Sequence, residues 1–202
     1  MPHHGAVTWA ALILTGGTAS RLGGADKAAL ARGGRPLLEH ALAAVAGAAE
    51  VVVVGPEAAT SRPVLFAREE PPGGGPLAGV AAGVAALTGV HDLVVVLAVD
   101  MPHVTAQTVA RLVAAVGDDD AAWLVDESGR RQLAGAVRPA LVLAVGEAAG
   151  VPMRRLMGSG RAVDVPALGD EAADVDTWPD ADRLGVVRRG DTSHDDEGAE
   201  RT

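Results

Sequence analysis

One glycine-rich segment, which runs from Leu14 to Lys27, carries the residues best suited to phosphate chemistry. Gly16 and Gly17 follow closely on an apolar run, and glycine allows backbone N–H groups to approach an anion. Arg21 and Lys27 add two cations that a plain tight turn does not need. The segment therefore predicts a loop that can hold a triphosphate and neutralise a departing pyrophosphate.

The spacing of the glycines excludes two other kinds of phosphate loop. No Gly-Lys-Ser/Thr follows them, as a Walker A loop requires, and the dinucleotide fingerprint Gly-x-Gly-x-x-Gly cannot be placed on them. The second exclusion disfavours a Rossmann-type oxidoreductase. The alternative that stays open is a long solvated turn whose Arg21 and Lys27 are surface charges.

A carboxylate ends the most hydrophobic run of the chain. Asp100 follows the apolar residues 93–99 and precedes Met101-Pro102. At the carboxyl end of a central parallel strand it lies beside the glycine-rich loop. A carboxylate there can hold Mg²⁺, which is commonly shared with substrate phosphates. The alternative is a capping or turn aspartate ahead of a proline.

Two further segments have residue types that suit a ligand site. Residues 74–79 read Gly-Gly-Pro-Leu-Ala-Gly, and such small residues let a flat base lie against the backbone. The alternative for them is a Gly/Pro loop that enters a helix. Residues 174–180 read Asp-Val-Asp-Thr-Trp-Pro-Asp, which is either a source of a second carboxylate or an acidic solvated turn.

Strands and helices alternate in the pattern that must position these residues. Nearly continuous apolar runs predict buried parallel strands at 7–14, 51–54 and 93–99. Helical spacing predicts helices at 36–45, 76–87 and 105–116, the last with Thr105 as a candidate N-cap. In the second half we expect strands at 121–125, 133–137 and 161–165, and helical segments at 140–148, 153–157 and 179–184. The order is typical of an α/β fold with a mainly parallel sheet.

Composition narrows the class of protein. The chain has 202 residues, which fits one domain. A net charge of -9 with 2% aromatic residues argues against a nucleic-acid binder. The absence of cysteine excludes disulfides and thiolate sites, and no apolar run approaches the ~18 residues of a membrane span. With no signal peptide read at the N-terminus, we expect a cytoplasmic protein.

The glycine-rich segment resembles the signature of a known enzyme family. Leu-x-Gly-Gly-x-x-x-Arg-x-Gly-x-x-Lys occurs here from Leu14 to Lys27, with Lys27 shifted by one residue because of an extra glycine. It is similar to nucleotidyltransferases of the molybdenum cofactor guanylyltransferase type, and the other segments extend the similarity over most of residues 7–185. The resemblance implies a three-layer α/β/α Rossmann-like nucleotidyltransferase fold with a mainly parallel sheet.

The resemblance also implies roles for individual residues. It assigns catalysis to Arg21, Lys27 and Asp100, and metal binding to Asp100 and Asp176. It assigns nucleotide binding to Leu14, Thr15, Gly16, Gly17, Lys27, Gly55, Glu70, Gly75, Pro76, Leu77 and Asp100. Which of Glu69 and Glu70 matches the family's acidic nucleotide contact stays open. Acceptor binding falls to the arginines Arg131, Arg138, Arg154 and Arg155.

The implied reaction is transfer of GMP from GTP to molybdenum-molybdopterin, with release of pyrophosphate and Mg²⁺ as cofactor. The implied partners are GTP, a molybdopterin-type acceptor and, transiently, molybdoenzymes or their chaperones; neither nucleic acid nor a membrane is expected. Gln132-Leu133 and Val137-Arg138 stand where the family often carries His-Pro and Tyr-Arg. A cytidylyltransferase, a transferase for another phosphorylated metabolite and a non-catalytic nucleotide-binding module therefore remain alternatives.

These expectations divide the chain into regions. Residues 1–187 form the nucleotidyltransferase domain, with a nucleotide-binding half at about 7–117 and an acceptor-binding half at about 118–187. Residues 188–202 are polar and rich in acidic residues, so we expect a disordered acidic tail.

Overall fold

A seven-stranded sheet forms the centre of the computed structural model, which describes residues 7–16 and 27–188. Its strands follow the order β5-β4-β1-β6-β8-β7-β9. They are β1 (Trp9–Leu14), β4 (Glu50–Val54), β5 (Leu65–Ala67), β6 (Leu93–Ala98), β7 (Ala121–Val125), β8 (Arg131–Val137) and β9 (Ala162–Pro166). Only β8 runs against the others, because it pairs antiparallel with both β6 and β7. The predicted mainly parallel sheet is therefore confirmed.

Six helices cover the two faces of this sheet in the described part of the chain. They are α1 (Leu37–Ala44), α2 (Pro76–Ala86), α3 (Ala106–Val116), α4 (Pro139–Leu143), α5 (Arg154–Met157) and α6 (Trp178–Arg183). Alternate residues of the central strands point to opposite faces. Ala11 and Ile13 pack with α1 and α3, whereas Leu12 and Leu14 pack with α2, α4 and α5. The result is the expected three-layer α/β/α arrangement.

A second, small sheet lies beside the first. It orders β10-β2-β3 and consists of β2 (Ala31–Arg32), β3 (Arg35–Pro36) and β10 (Val186–Val187). Val186 pairs with Arg32, so the end of the described chain is hydrogen-bonded to the segment that begins at Lys27. No sequence pattern predicts this sheet, because strands of two residues carry no periodicity.

The predicted elements agree with the structure except in one helix. Thr105 is the N-cap of α3 and accepts a hydrogen bond from the Thr108 N–H, as expected. The helix predicted at 140–148 is wrong in length, since α4 ends at Leu143. Only Val142 of this helix is buried, and Gly146 follows in a left-handed turn with φ 72°, so little packing favours a longer helix.

The described residues end at Arg188, the first residue of the expected acidic tail. The expected acidic tail lies outside the described residues apart from Arg188, whose guanidinium stacks 4.4 Å from the ring centroid of Trp178. Within the described ranges, every helix falls short of the length and apolarity that crossing a membrane requires.

A buried tryptophan makes the sheet sensitive to one glycine. Trp123 on β7 is fully buried and faces Gly135 on β8. A Cβ at Gly135 would lie 2.6 Å from Trp123 Cζ3 and closer still to Cε3. We expect Gly135→Ala to lower the free energy of unfolding by about 1–3 kcal/mol through overpacking, measured by urea denaturation.

A Trp123→Leu background serves as the control for that substitution. Leucine removes the ring atoms that the new methyl group meets and, of the three nearest atoms, leaves only the Ala122 carbonyl oxygen at 2.8 Å, so the cost of Gly135→Ala should be smaller there. Equal costs in the two backgrounds would contradict the assigned cause.

Glu50, the first residue of β4, lies at the amino end of the parallel strands. The Glu50 carboxylate accepts hydrogen bonds from the Thr88 N–H and hydroxyl and the Gly89 N–H, and lies 2.9 Å from His91 Nε2. Burial alone would raise the pKa of Glu50, but these hydrogen bonds lower it from 4.5 to about 2. The ionised carboxylate therefore stabilises the fold above pH 4.5, and this contribution is lost as the pH falls toward 2.

We expect Glu50→Gln to lower the free energy of unfolding by about 1–3 kcal/mol at neutral pH. The difference from wild type should shrink as the pH falls through the window below 4.5. Urea titrations at a series of pH values measure it, with Glu57→Gln on an exposed loop as the matched control. A deficit that stays constant down to the acid limit would show that charge is not the cause.

Candidate active site

A cleft of about 780 Å³ opens at the carboxyl ends of the parallel strands. The end of β1 lies between the ends of β4 and β6 in the sheet, which is where open α/β sheets bind ligands. Its lining residues come from both halves of the chain. They are Leu14, Thr15, Gly16, Lys27, Val54, Glu69, Gly73, Gly75, Pro76, Gly79, Ala98, Val99, Asp100, Met101, Arg130, Arg131, Gln132, Leu133, Met153, Met157 and Asp174.

Lys27 joins two carboxylates in this cleft. Its Nζ lies 2.7 Å from Asp100 Oδ2 and 2.9 Å from Asp176 Oδ1. The Lys27 and Asp100 side chains are only 14% and 18% exposed, whereas that of Asp176 is 49% exposed. The structure therefore brings three of the predicted site residues together, although Asp100 and Asp176 lie 73 and 149 positions after Lys27.

A buried valine brings Asp176 to Asp100. The Val175 N–H donates to the Asp100 carbonyl at 3.0 Å, and the Val175 side chain is fully buried. Asp174 and Asp176 therefore flank an anchored residue next to the end of β6. The Thr177 side chain then caps α6 and accepts from the Asp180 N–H, so the acidic stretch is an ordered connection rather than a solvated turn.

The other end of the bridge is held through the small sheet. Lys27 begins a short 3-10 helix whose Ala28 is buried, and Leu30 behind it packs in the core. This segment continues into β2, which pairs with β10, and β10 follows α6 and Asp176 along the chain. Both ends of the Lys27–Asp176 contact are therefore fixed by one backbone pairing.

The charges in the cleft change how its groups ionise. Burial works to lower the pKa of Lys27, but the charge and hydrogen bond of Asp100, with those of Asp176, raise it above its usual value. The ammonium is therefore charged at neutral pH. Burial raises the pKa of Asp174, and the negative charges of Asp176 and Asp100 raise it further.

Asp174 is a site residue that the sequence analysis did not assign. It lines the cleft, and the charges of Asp176 and Asp100 contribute to its raised pKa. The signal was present in the spacing, since Asp174 and Asp176 alternate around Val175 and face the same side of an extended segment.

The nucleotide-binding residues predicted just after β1 and β4 differ in whether they line the cleft. Leu14, Thr15 and Gly16 line the cleft. Gly55 does not, because it is buried and its N–H donates to the Ala67 carbonyl. A side chain at Gly55 would collide with Thr15 Oγ1, so this glycine allows β1 and β4 to end close together. Gly17 and Arg21 lie outside the described residues.

The segment before α2 supplies part of the wall. Gly75 has φ 89° and precedes Pro76, the first residue of α2, and both line the cleft. Leu77 is fully buried in the core beneath them. Of the two acidic residues upstream, the lining includes Glu69, whose carboxylate accepts from the Gly73 N–H at 3.2 Å, and not Glu70.

The four predicted acceptor arginines do not come together. Arg131 lines the cleft, but its Nε donates to Asp164 Oδ1 at 2.6 Å and its Nη1 to the Met157 carbonyl. Arg138 lies in another cavity and donates to the Asp119 and Gly117 carbonyls. Arg154 and Arg155 are exposed on α5 and are not among the lining residues.

Arg130 and three apolar residues form the part of the cleft wall where these arginines were expected. Arg130 is exposed and lines the cleft, and in the described part of the chain its guanidinium has no hydrogen-bond or ion-pair partner. Leu133, Met153 and Met157 form an apolar wall near it. The two methionines were not predicted as site residues, because an isolated apolar residue at the start or end of a short helix is typical of packing.

Among the described residues, the acidic side chains at this cleft offer oxygen ligands to a metal ion. No group of three or more His, Cys, Asp or Glu side chains is arranged to hold one within residues 7–16 and 27–188. Mg²⁺ needs no such cage, because one or two carboxylates commonly hold it together with substrate phosphates. Asp100 and Asp176 fit that requirement.

The chain is similar to proteins of known families. Residues 11–165 match the family model described as MobA-like NTP transferase domain. A molybdenum cofactor guanylyltransferase of Pseudomonas entomophila is 31% identical over 170 residues, which cover 82% of this chain and 88% of that protein. One of Acidiphilium cryptum is 44% identical over 115 residues, which cover 52% of this chain and 57% of the relative. The match to this second relative thus spans little more than half of its length.

Solved structures share the fold. Mycobacterium tuberculosis Rv0371c, crystallised in complex with manganese, superposes with a TM-score of 0.68 at 15% sequence identity. The superposition covers 89% of this chain and 98% of that one. At this identity the likeness concerns the fold alone.

The Lys27 bridge predicts an unusual effect on metal binding. Because the ammonium neutralises Asp100 and Asp176, its removal should make these carboxylates a stronger site for a divalent cation. We expect Lys27→Met to bind Mn²⁺ without nucleotide about tenfold more tightly than wild type, since ~1.4 kcal/mol of relieved competition suffices. Electron paramagnetic resonance of free Mn²⁺ measures this affinity.

Lys27→Arg is the matched control, because it keeps a cation beside both carboxylates. It should bind Mn²⁺ as weakly as wild type does. If Lys27→Met shows no gain over Lys27→Arg, the ammonium does not compete with the metal for these carboxylates.

Proposed function

The chain belongs to the family of MobA-like NTP transferases, and from this premise we propose that it transfers GMP from GTP to molybdenum-molybdopterin and releases pyrophosphate. The family match confirms the resemblance drawn from the segment that ends at Lys27. The observation that carries the proposal is the contact of Lys27 with Asp100 and Asp176 at the carboxyl ends of β1 and β6. A cation suited to phosphate beside two carboxylates suited to a divalent metal ion supports this proposal.

The nucleotide belongs to the first half of the cleft in this proposal. The backbone after Leu14 orients the triphosphate at the end of β1, and the small residues Gly75 and Pro76 leave room for the base. Glu69 is the acidic group on this side of the lining, and it is our candidate for the nucleotide contact that the sequence analysis left open between it and Glu70. The nucleotide-binding half then corresponds to about residues 7–117.

The acceptor belongs to the wall that the second half provides, at about residues 118–187. Arg130 offers a guanidinium that is free to bind a phosphate group, while Met153 and Met157 offer an apolar, polarisable surface to a ring system. Arg131 instead stabilises this wall from behind through Asp164. The acceptor phosphate therefore meets Arg130 in our proposal, in place of the four arginines named from the sequence.

The reaction needs no protein nucleophile. An acceptor phosphate oxygen attacks the α-phosphorus, the new P–O bond forms, and the bond to the β-phosphate oxygen breaks in line with it. The pair of electrons in the breaking bond leaves with pyrophosphate. Lys27 stabilises the charge that grows on this leaving group, and Arg21, outside the described residues, has the same proposed role.

Mg²⁺ is the proposed cofactor, held by Asp100 and Asp176. When bound, it neutralises negative charge on the substrate phosphates. The Lys27 ammonium must then exchange its carboxylate partners for phosphate oxygens, which are available only when nucleotide is present. Asp174 lines the cleft beside this position, and burial together with the charges of Asp176 and Asp100 raises the pKa of its carboxyl group.

We expect Lys27→Ala and Asp100→Ala each to reduce the rate of pyrophosphate release by about 10²–10³, the usual effect of removing one electrostatic group at a transition state. Arg161→Ala is the control and should retain the wild-type rate, because Arg161 is exposed just before β9 and does not line the cleft. Wild-type turnover in either of the first two variants would contradict the assigned site.

The substrate pair is tested by measuring pyrophosphate release with Mg²⁺ and either GTP or CTP, with and without molybdenum-loaded molybdopterin. We expect release only with GTP and acceptor together. Release with CTP would instead assign the sister cytidylyltransferase activity to the same site. Nucleotide binding without any release would contradict the acceptor assignment and favour a binding module.

A further inference from the structure

A second concavity, separate from the cleft, gathers basic side chains. We name it the basic groove and define it by Arg32, Arg35, His40, His103 and Arg183. It has a volume of about 560 Å³. These residues come from β2, β3, α1, the turn after β6 and the end of α6, so the fold assembles the cluster from distant parts of the chain.

Nearby acidic groups leave most of this charge unneutralised. Within the described residues, Arg32 and Arg35 have no carboxylate partner. The Glu39 carboxylate next to Arg35 is engaged by Ser61 instead. Arg183 lies 3.6 Å from Asp180, whose carboxylate already accepts from the Thr177 N–H and hydroxyl.

The groove also has unused hydrogen-bond donors. Arg32 uses only its Nε, on the Leu184 carbonyl, and Arg35 uses only one Nη2 bond, to the Glu39 carbonyl. The remaining guanidinium N–H groups have no partner in the part of the chain that the structure describes. His103 Nε2 is buried and has no hydrogen-bond partner there.

Ionisation of the histidine agrees with a positive field. Burial lowers the pKa of His103, and the charges of Arg32, Arg183 and His40 lower it further, against the opposing effect of Asp170. A bound anion would reverse that repulsion.

We propose that the basic groove binds a small phosphate anion, orthophosphate or pyrophosphate, at a site distinct from the nucleotide cleft. Guanidinium groups present parallel N–H donors that match two oxygens of a phosphate, and three of them line this groove. The described residues that line the groove and those that line the cleft have no member in common. The proposal does not depend on the reaction assigned above.

The two sites are nevertheless linked along the chain, so an experiment must separate them. Arg32 lies five positions after Lys27, His103 three after Asp100, and Arg183 seven after Asp176. Phosphate added to the protein meets cations in both places. The cleft therefore has to be altered independently of the groove.

Isothermal titration calorimetry of the full chain with orthophosphate, and separately with pyrophosphate, at constant low ionic strength tests the proposal. The groove variant is Arg35→Gln/Arg183→Gln, because both side chains are exposed, and Arg32, which holds Leu184, is left intact. The cleft variant is Lys27→Met. Arg161→Gln removes one charge at an exposed arginine elsewhere, as does the Lys27→Met change, and thermal unfolding verifies that each variant is folded.

We expect Lys27→Met and Arg161→Gln to retain a phosphate site, and the groove variant to bind at least one of the two anions about a hundredfold more weakly, since each lost charge-assisted hydrogen bond costs about tenfold. Affinity equal to wild type in the groove variant would overturn the proposal. Loss of all binding in Lys27→Met, or no binding of either anion to wild type, would overturn it as well.

A second measurement monitors the His103 imidazole, whose Nε2 atom is buried. Nitrogen chemical shifts of His103 should move when the preferred anion is added to wild type and to Lys27→Met, because the anion favours the protonated ring. Unchanged shifts at saturating anion would also contradict the assignment.

Discussion

The Lys27 ammonium, held between Asp100 and Asp176, is the contact to which the rest of the site is arranged. The carboxylates of Asp100, at the end of β6, and Asp176, on the connection before α6, repel each other, and the ammonium between them offsets that repulsion. Asp100 stands at the end of the fully buried strand β6, so it cannot move away without disturbing the core. The position of the cation is therefore as constrained as the sheet itself.

Two sheets of very different size position the contact of Lys27 with Asp100 and Asp176. The large sheet brings the ends of β1 and β6 side by side through a register of six paired residues. The small sheet, with only two residues in each strand, joins the segment of Lys27 to that of Asp176. Loss of the small sheet would free the segment of Lys27 from that of Asp176, whereas Asp176 would still be held next to Asp100 by the buried Val175.

Residue patterns predicted the large-scale fold because buried parallel strands are long apolar runs with little alternation, as in 51–54 and 93–99. They also singled out Asp100, because a charged residue directly after such a run needs a reason to be there, and Lys27, because it is a cation in a glycine-rich segment. They could not predict the antiparallel direction of β8, whose composition is equally compatible with either direction. Nor could they predict that Val175 would donate to the Asp100 carbonyl, since that bond depends on a turn of the whole C-terminal segment.

The acceptor side shows a different limit. Arginines were named there by their type, but an arginine is recognised as a ligand only by what its guanidinium is free to do. Arg131 and Arg138 use theirs to hold carbonyl and carboxylate oxygens of the protein itself, whereas Arg130 does not. Sequence assigns the charge, and the hydrogen bonds of the folded chain decide its use.

We propose that the cation of Lys27 passes from protein carboxylates to substrate phosphates when nucleotide binds. A crystal structure of the chain with Mg²⁺ and a non-hydrolysable GTP analogue tests it most directly. We expect Lys27 Nζ within hydrogen-bonding distance of a phosphate oxygen, with Asp100 released to the metal ion. A nucleotide bound elsewhere, with Lys27 still bridging Asp100 and Asp176, would contradict the account.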